Sequence, residues 1–115
     1  MSKTARGLFE GTKQTFKGRF YLAEGIKDLE GTLTSPLEDF RSPNATITYD
    51  DAADLDGICD IPVLTPSFIG IDLFEVTLKS YTTGGVAKLH GQLRPPIDNR
   101  TIIGGSGKWT PGQED

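Results

Sequence analysis

Residues 85–94 read Gly-Val-Ala-Lys-Leu-His-Gly-Gln-Leu-Arg, and small or apolar residues alternate there with polar ones. Positions 87, 89, 91 and 93 share one face, and the polar positions 88, 90, 92 and 94 share the other. This period of two predicts a strand with one packed face. Pro95 and Pro96 lack the backbone N–H that a ladder requires, so the strand is expected to end before them.

Residues 101–109 read Thr-Ile-Ile-Gly-Gly-Ser-Gly-Lys-Trp. The β-branched run 101–103 predicts a short strand. The glycines at 104, 105 and 107 predict a sharp corner, because glycine adopts backbone conformations that other residues avoid. Trp109, next to this corner, is predicted to seal one end of the hydrophobic core.

Earlier segments repeat the strand pattern. Residues 16–24 and 28–35 alternate on either side of a turn at Gly25, which predicts a hairpin, and 45–49 predicts a third strand. The longest run, 67–81, changes phase at Leu73-Phe74 and indicates a bulge, a bend or a strand buried on both faces. Segment 36–44 contains two prolines and predicts a loop, and short helices are candidates at 36–41 and 50–56. Seven short strands predict an all-β fold, a small antiparallel β-barrel, with a β-sandwich as the alternative.

Length and charge restrict the classes of function. The 115 residues predict one domain spanning 1–115, with a flexible segment at 1–12. The formal net charge of −4 argues against nucleic acid as a partner, since phosphate neutralisation needs clustered Lys and Arg. The chain has no run of 18 apolar residues, so no membrane partner is predicted.

One cysteine and one histidine limit redox and metal chemistry. Cys59 alone cannot form an intramolecular disulfide, and with His90 it cannot complete a zinc site. Residues 52–63 half-match a calcium loop but have Ala52 and Val63 where the first and twelfth ligands belong, so no metal and no cofactor are predicted. Cytoplasmic residence is the simplest interpretation, and glycosylation sequons at Asn44 and Asn99 leave secretion open.

The C-terminal quarter of the chain resembles a known family. Leu89-x-Gly91 and the later Ile102-Ile-Gly-Gly-Ser-Gly-Lys-Trp109 look like the matching segment of the allene oxide cyclase and dirigent-like barrels. Gly107-x-Trp109 is also similar to the Gly-x-Trp of lipocalins, so an allene oxide cyclase-like or calycin-like barrel is expected. The first resemblance implies a small, cofactor-free and often oligomeric barrel that holds an apolar substrate while it cyclises or couples. It assigns no catalytic residue in the matching segment.

Two functions follow as hypotheses. In the first, the barrel interior binds an apolar small molecule and acts as a cofactor-independent cyclase or isomerase, because fixing a reactive conformer lowers a barrier without acid–base groups. In the second, the chain is a non-catalytic binding or assembly module whose sheet edges pair with another chain, most simply as a homodimer. The residues predicted to bind the ligand are Phe20, Tyr21, Tyr49, Phe74, Glu75, Tyr81, His90, Arg94 and Trp109.

Overall fold

The computed structural model describes residues 2–112 and is built almost entirely of strands. The eight strands are β1 (Lys3–Leu22), β2 (Gly25–Tyr49), β3 (Gly57–Ile61), β4 (Ser67–Ile69), β5 (Leu73–Ser80), β6 (Val86–Gln92), β7 (Thr101–Ile103) and β8 (Gly105–Pro111). A single 3-10 turn, Ala52–Leu55, precedes β3. The all-β prediction is confirmed. Within residues 2–112, no helix has the length and hydropathy that a membrane crossing requires.

The sheet closes on itself as an antiparallel barrel. Strand β2 pairs with β8, β8 with β3, β3 with β5 and β5 with β6, and β6 returns to the far end of β2 at residues 46–48. Strand β1 pairs along the length of β2, from Lys3 opposite Tyr49 to Leu22 opposite Gly25. Short strands β4 and β7 extend the sheet beyond β5. The structure is therefore the predicted β-barrel and not the alternative β-sandwich.

The long β1–β2 hairpin folds back on itself. A Cβ added at Gly7 would lie 1.9 Å from the backbone oxygen of Arg19, so the two halves of β1 touch with no space for a side chain between them. The ring centroids of Phe9 and Phe16 are correspondingly 5.7 Å apart. Each half of the folded hairpin supplies part of the barrel wall, because one end of β2 meets β8 and the other end meets β6.

Aromatic and aliphatic side chains fill the barrel. Phe9 contacts three other rings and stacks on Phe74 at 4.8 Å between centroids. The ring centroids of Trp109 and Phe20 are 6.1 Å apart, and Trp109 is 2% exposed. The prediction that Trp109 packs in the core is therefore confirmed. Cys59 is buried, which raises the pKa of its thiol to about 11 and leaves it as a small core residue rather than a nucleophile.

Several local predictions differ from the structure. The loop predicted at 36–44 and the short helix at 36–41 are wrong, because these residues continue β2 opposite β1. The helix predicted at 50–56 shrinks to the 3-10 turn at Ala52–Leu55. Residues 3–12, for which the sequence predicted a flexible segment, form the first half of β1 because their ladder with residues 37–49 fixes them.

The structure also explains the phase change at Leu73-Phe74 and the glycine corner at residues 104–107. The phase change at Leu73-Phe74 marks the end of a tight turn between β4 and β5. The glycine corner narrows to residue 104, and Gly105 already begins β8. The structure has eight strands where the sequence predicted seven. Segments 28–35 and 45–49 belong to the single strand β2, and β3 was not predicted.

Candidate functional site

A cleft lies where the β1–β2 hairpin folds, at the rim of the barrel. It has a volume of about 1070 Å³ and is open to solvent. We call it the rim cleft. Its lining residues come from β1, β2, β8 and the segment after β6: Glu10, Gly11, Thr12, Thr15, Phe16, Lys17, Glu30, Gly31, Thr32, Asp39, Phe40, Arg41, Arg94, Pro95 and Lys108.

Unequal strand lengths create the fold of the hairpin. Between the pairs Thr15↔Thr32 and Lys13↔Leu37, β1 advances by two residues whereas β2 advances by five. Pro36 lies in the longer β2 segment and has no N–H to donate. Lys13 has a φ of 56°, in the left-handed region that residues with a side chain rarely adopt. The extra residues and the irregular backbone bend the pair sharply, as β-bulges do.

The floor of the cleft is aromatic. Phe16 and Phe40 line the cleft and are both buried, so only a small part of each ring meets the cleft. Gly31 is needed beside Phe16, because a Cβ there would lie 2.3 Å from the Phe16 Cζ atom. The glycine therefore lets the Phe16 ring approach the backbone of β2 closely.

The rim of the cleft is charged. Glu10 lies between two cations, with its carboxylate oxygens 3.6 Å from Lys17 Nζ and 3.8 Å from Arg41 Nε. Glu30 faces Lys17 on one neighbouring strand and Lys108 on the other. Lys17 and Arg41 directly follow the floor residues Phe16 and Phe40, so they lie on the opposite face of their strands.

The structure separates the residues that the sequence assigned to one site. Phe20, Phe74 and Trp109 are core residues that pack against other aromatic rings. Tyr21, Glu75, Tyr81 and His90 are exposed outside the core, and Glu75 lies opposite His90 on the outer face of the β5–β6 pair. Among the nine residues, Arg94 is the one that lines the rim cleft.

Tyr49 belongs to a polar cluster at the turn of the hairpin. Its hydroxyl donates to Glu24 Oε1 at 2.9 Å, and Lys3 Nζ donates to Glu24 Oε2 at 2.7 Å. The hydrogen bond from Lys3, followed by that from Tyr49, lowers the pKa of Glu24 to about 2. Burial and the hydrogen bond to Glu24 raise the pKa of Tyr49 to about 12. The cluster joins the β1–β2 turn to the open end of the same hairpin.

The Glu24 cluster predicts a specific acid response. A carboxylate with a lowered folded-state pKa stabilises the fold above its unfolded pKa of about 4.3, and that contribution is lost as pH falls towards 2. We expect Glu24→Gln to flatten the fall of the unfolding free energy across this interval, and Glu75→Gln, at an exposed strand position, to leave it unchanged. Chemical unfolding at a series of pH values measures both. A Glu24→Gln profile parallel to the wild-type profile would contradict the assignment.

Two aspartates of the acidic segment 50–60 have structural partners within the chain. Asp51 accepts a hydrogen bond from the Ala53 amide at 3.0 Å and caps the 3-10 turn. Asp54 is buried and accepts a hydrogen bond from the Thr83 hydroxyl, which ties the 3-10 turn to the turn before β6. Within the described part of the chain, no three His, Cys, Asp or Glu side chains group closely enough to hold a metal ion.

Sequence reasoning did not find most of the cleft. It missed the floor residues Phe16 and Phe40 and the charged residues Glu10, Lys17, Glu30, Asp39, Arg41 and Lys108. The available signal was the pair of prolines at 36 and 43 inside an otherwise alternating segment, which was interpreted as a loop instead of as an irregular strand. The alternation alone does not show where a long hairpin folds.

Comparison with known proteins finds a similarity in fold to a solved structure. No family model matches the chain, and no curated protein matches it. The chain is similar in fold to a virulence-associated protein. This is VapB from the intracellular pathogen Rhodococcus equi, with a TM-score of 0.53 and 14% sequence identity over 97% of this chain and 100% of that of VapB. At this identity the likeness to VapB shows the fold alone.

Proposed function

We propose that this protein binds a small, largely apolar molecule in the rim cleft. The observation that carries the proposal is the cleft itself, whose volume of about 1070 Å³ accommodates a drug-sized molecule over an aromatic floor. Phe16, Phe40 and Pro95 offer apolar contact, and the threonines at 12, 15 and 32 offer hydroxyl groups at the edge. Such a mixture of apolar surface and a few polar groups is typical of ligand sites.

The rim is favoured over the barrel interior as the place of binding. Phe20, Phe74 and Trp109, the predicted interior walls, are each at most 2% exposed and pack against other side chains. A ligand among them would have to displace their packing contacts. The contacts of one buried Phe or Trp side chain contribute about 3–5 kcal/mol to stability. The predicted cyclisation or isomerisation, and the resemblance to allene oxide cyclase and dirigent-like barrels, stay predictions.

A neutral fluorescent probe tests binding at the cleft. We expect N-phenyl-1-naphthylamine to bind saturably to the wild-type protein. Thr15→Trp places a large side chain in the cleft and is expected to weaken binding about tenfold or more, a change of roughly 1.4 kcal/mol. Thr110→Trp makes the same change at an exposed β8 position outside the cleft lining and is the matched control. Equal affinity for the two variants would contradict the proposal.

Self-association is a second candidate function, favoured by the surface around β4. Val63 and Leu64, in the loop before β4, are 91% and 97% exposed, and Ile102 on the paired strand β7 is 67% exposed. Strand β7 ends the sheet, and among residues 2–112 its outer edge has no ladder partner. An open edge beside apolar side chains suits pairing with a second copy of the chain.

Light scattering at micromolar concentration measures the mass of the protein in solution and so tests self-association. We expect a dimer mass for the wild-type protein and a monomer mass for the double variant Leu64→Lys, Ile102→Lys, since a charged pair opposes burial of the edge. The double variant Leu73→Lys, Val86→Lys changes two exposed side chains of similar type outside β7 and the 62–66 loop and is the control. A wild-type monomer would contradict self-association and leave the cleft proposal standing.

A further inference from the structure

We infer that the molecule bound in the rim cleft is an aromatic anion whose charged group is held by Arg94. The inference rests on the proposed function and adds the chemical class of the ligand. It depends on the charge balance of the cleft, on the partners that its charged groups already have, and on the aromatic floor.

The cleft is locally cationic on an acidic protein. Its lining includes four basic side chains and three carboxylates, whereas the whole chain has a formal net charge of −4. A concave site with an excess of one sign attracts ligands of the opposite sign, because its low-dielectric walls focus the field. An anion is therefore favoured in this cleft even though the protein as a whole repels one.

The three carboxylates are all placed beside internal partners. Glu10 is shared by Lys17 and Arg41, and Asp39 accepts a hydrogen bond from the Thr12 hydroxyl. Glu30 lies between lysines on both neighbouring strands, at positions 17 and 108. Glu10 therefore pairs with two of the four cations, and Lys108 has Glu30 as its neighbour in the ladder.

Among the described residues, Arg94 is the cleft cation with neither an ion pair nor a carboxylate opposite it in a strand pair, whereas Lys108 has no ion pair but lies opposite Glu30. The Arg94 backbone N–H donates to the Arg41 carbonyl at 2.8 Å, which fixes its position on the cleft wall beside Pro95. Among residues 2–112 no ion pair and no side-chain hydrogen bond engages its guanidinium. Arginine stays charged at any working pH and presents a planar set of donors that matches an oxyanion. A bound carboxylate or sulfonate would supply the missing partner.

The body of the ligand is indicated by the floor. Phe16 and Phe40 line the floor of the cleft, and aromatic pairs favour edge-to-face or offset-stacked contact. A flat aromatic body over this floor, with its anionic group directed to the Arg94 side of the rim, satisfies both features at once.

Two naphthylamine probes of nearly the same shape distinguish the contribution of the anionic group to binding from that of the apolar body. 8-Anilinonaphthalene-1-sulfonate carries a sulfonate, and N-phenyl-1-naphthylamine does not. We expect the sulfonate probe to bind the wild-type protein about tenfold tighter than the neutral probe. Arg94→Gln is expected to remove that advantage by weakening binding of the sulfonate probe more than binding of the neutral probe. Arg6→Gln, at an exposed position outside the cleft, is expected to change neither affinity.

The other outcomes are distinguishable. Binding of the neutral probe with no advantage for the sulfonate, or an equal loss for both probes in Arg94→Gln, overturns the inference and keeps the proposed function. Loss of the sulfonate advantage in Arg6→Gln as well overturns the assignment to Arg94, since general surface charge would then explain the preference. Binding of neither probe overturns the proposed function and the inference together.

Discussion

Replacing Trp109 by alanine is expected to lower the free energy of unfolding by about 3–5 kcal/mol. The indole is 2% exposed and lies between β2 and β3, opposite Leu29 on one side and Gly57 on the other. Its removal would leave a cavity at the point where β8 joins two strands of the closed barrel. Urea unfolding of the wild-type and variant proteins measures the loss.

Trp109→Phe is the informative control. The indole Nε1 is buried and has no hydrogen-bond partner within the described residues, so phenylalanine removes an unsatisfied donor while keeping much of the apolar contact. We expect it to lose less than half as much stability as Trp109→Ala. A loss below about 1 kcal/mol for the alanine variant would show that the barrel does not depend on this side chain.

Gly7→Ala is expected to destabilise the protein by about 3 kcal/mol through steric conflict. The added Cβ would lie 1.9 Å from the Arg19 backbone oxygen, and neither backbone can move without separating the two halves of β1. Gly104→Ala is the matched control, because a Cβ there meets the nearest atom, Thr34 Oγ1, at 3.4 Å. Thermal or urea unfolding of both variants provides the measurement.

This comparison tests whether the hairpin folds on itself. If Gly7→Ala is no more destabilising than Gly104→Ala, the halves of β1 do not touch and the rim cleft loses its structural basis. A large loss for Gly7→Ala alone would support the close approach that no local sequence pattern indicates.

Local patterns predicted the parts of the fold that short-range chemistry determines. The alternation in 86–94 located β6, the β-branched run located β7, and the residues beside Gly25 located the turn of the hairpin. These features depend on side-chain period and on turn residues, which the sequence displays directly. Trp109 was predicted to be buried because it lies next to the glycine corner at residues 104–107, and this prediction is confirmed.

Long-range pairing explains what the sequence did not show. Prolines 36 and 43 indicated a loop, yet segment 36–44 pairs with residues 9–13 of β1, and this tertiary contact overrides the local signal. The cleft brings together Glu10, Arg41 and Lys108, which are far apart in the chain. Arg94 was predicted as a polar anchor for the ligand, whereas the other cleft residues depend on where the long hairpin folds.

The most direct test of ligand binding at the rim cleft is to map the site by amide chemical shifts. In heteronuclear spectra recorded as N-phenyl-1-naphthylamine is added, we expect the largest changes at Gly11, Thr15, Gly31, Thr32 and Arg94, which line the cleft. Largest changes at the outer-face residues Glu75 and His90, or at Val63 and Leu64, with none in the cleft would contradict the account.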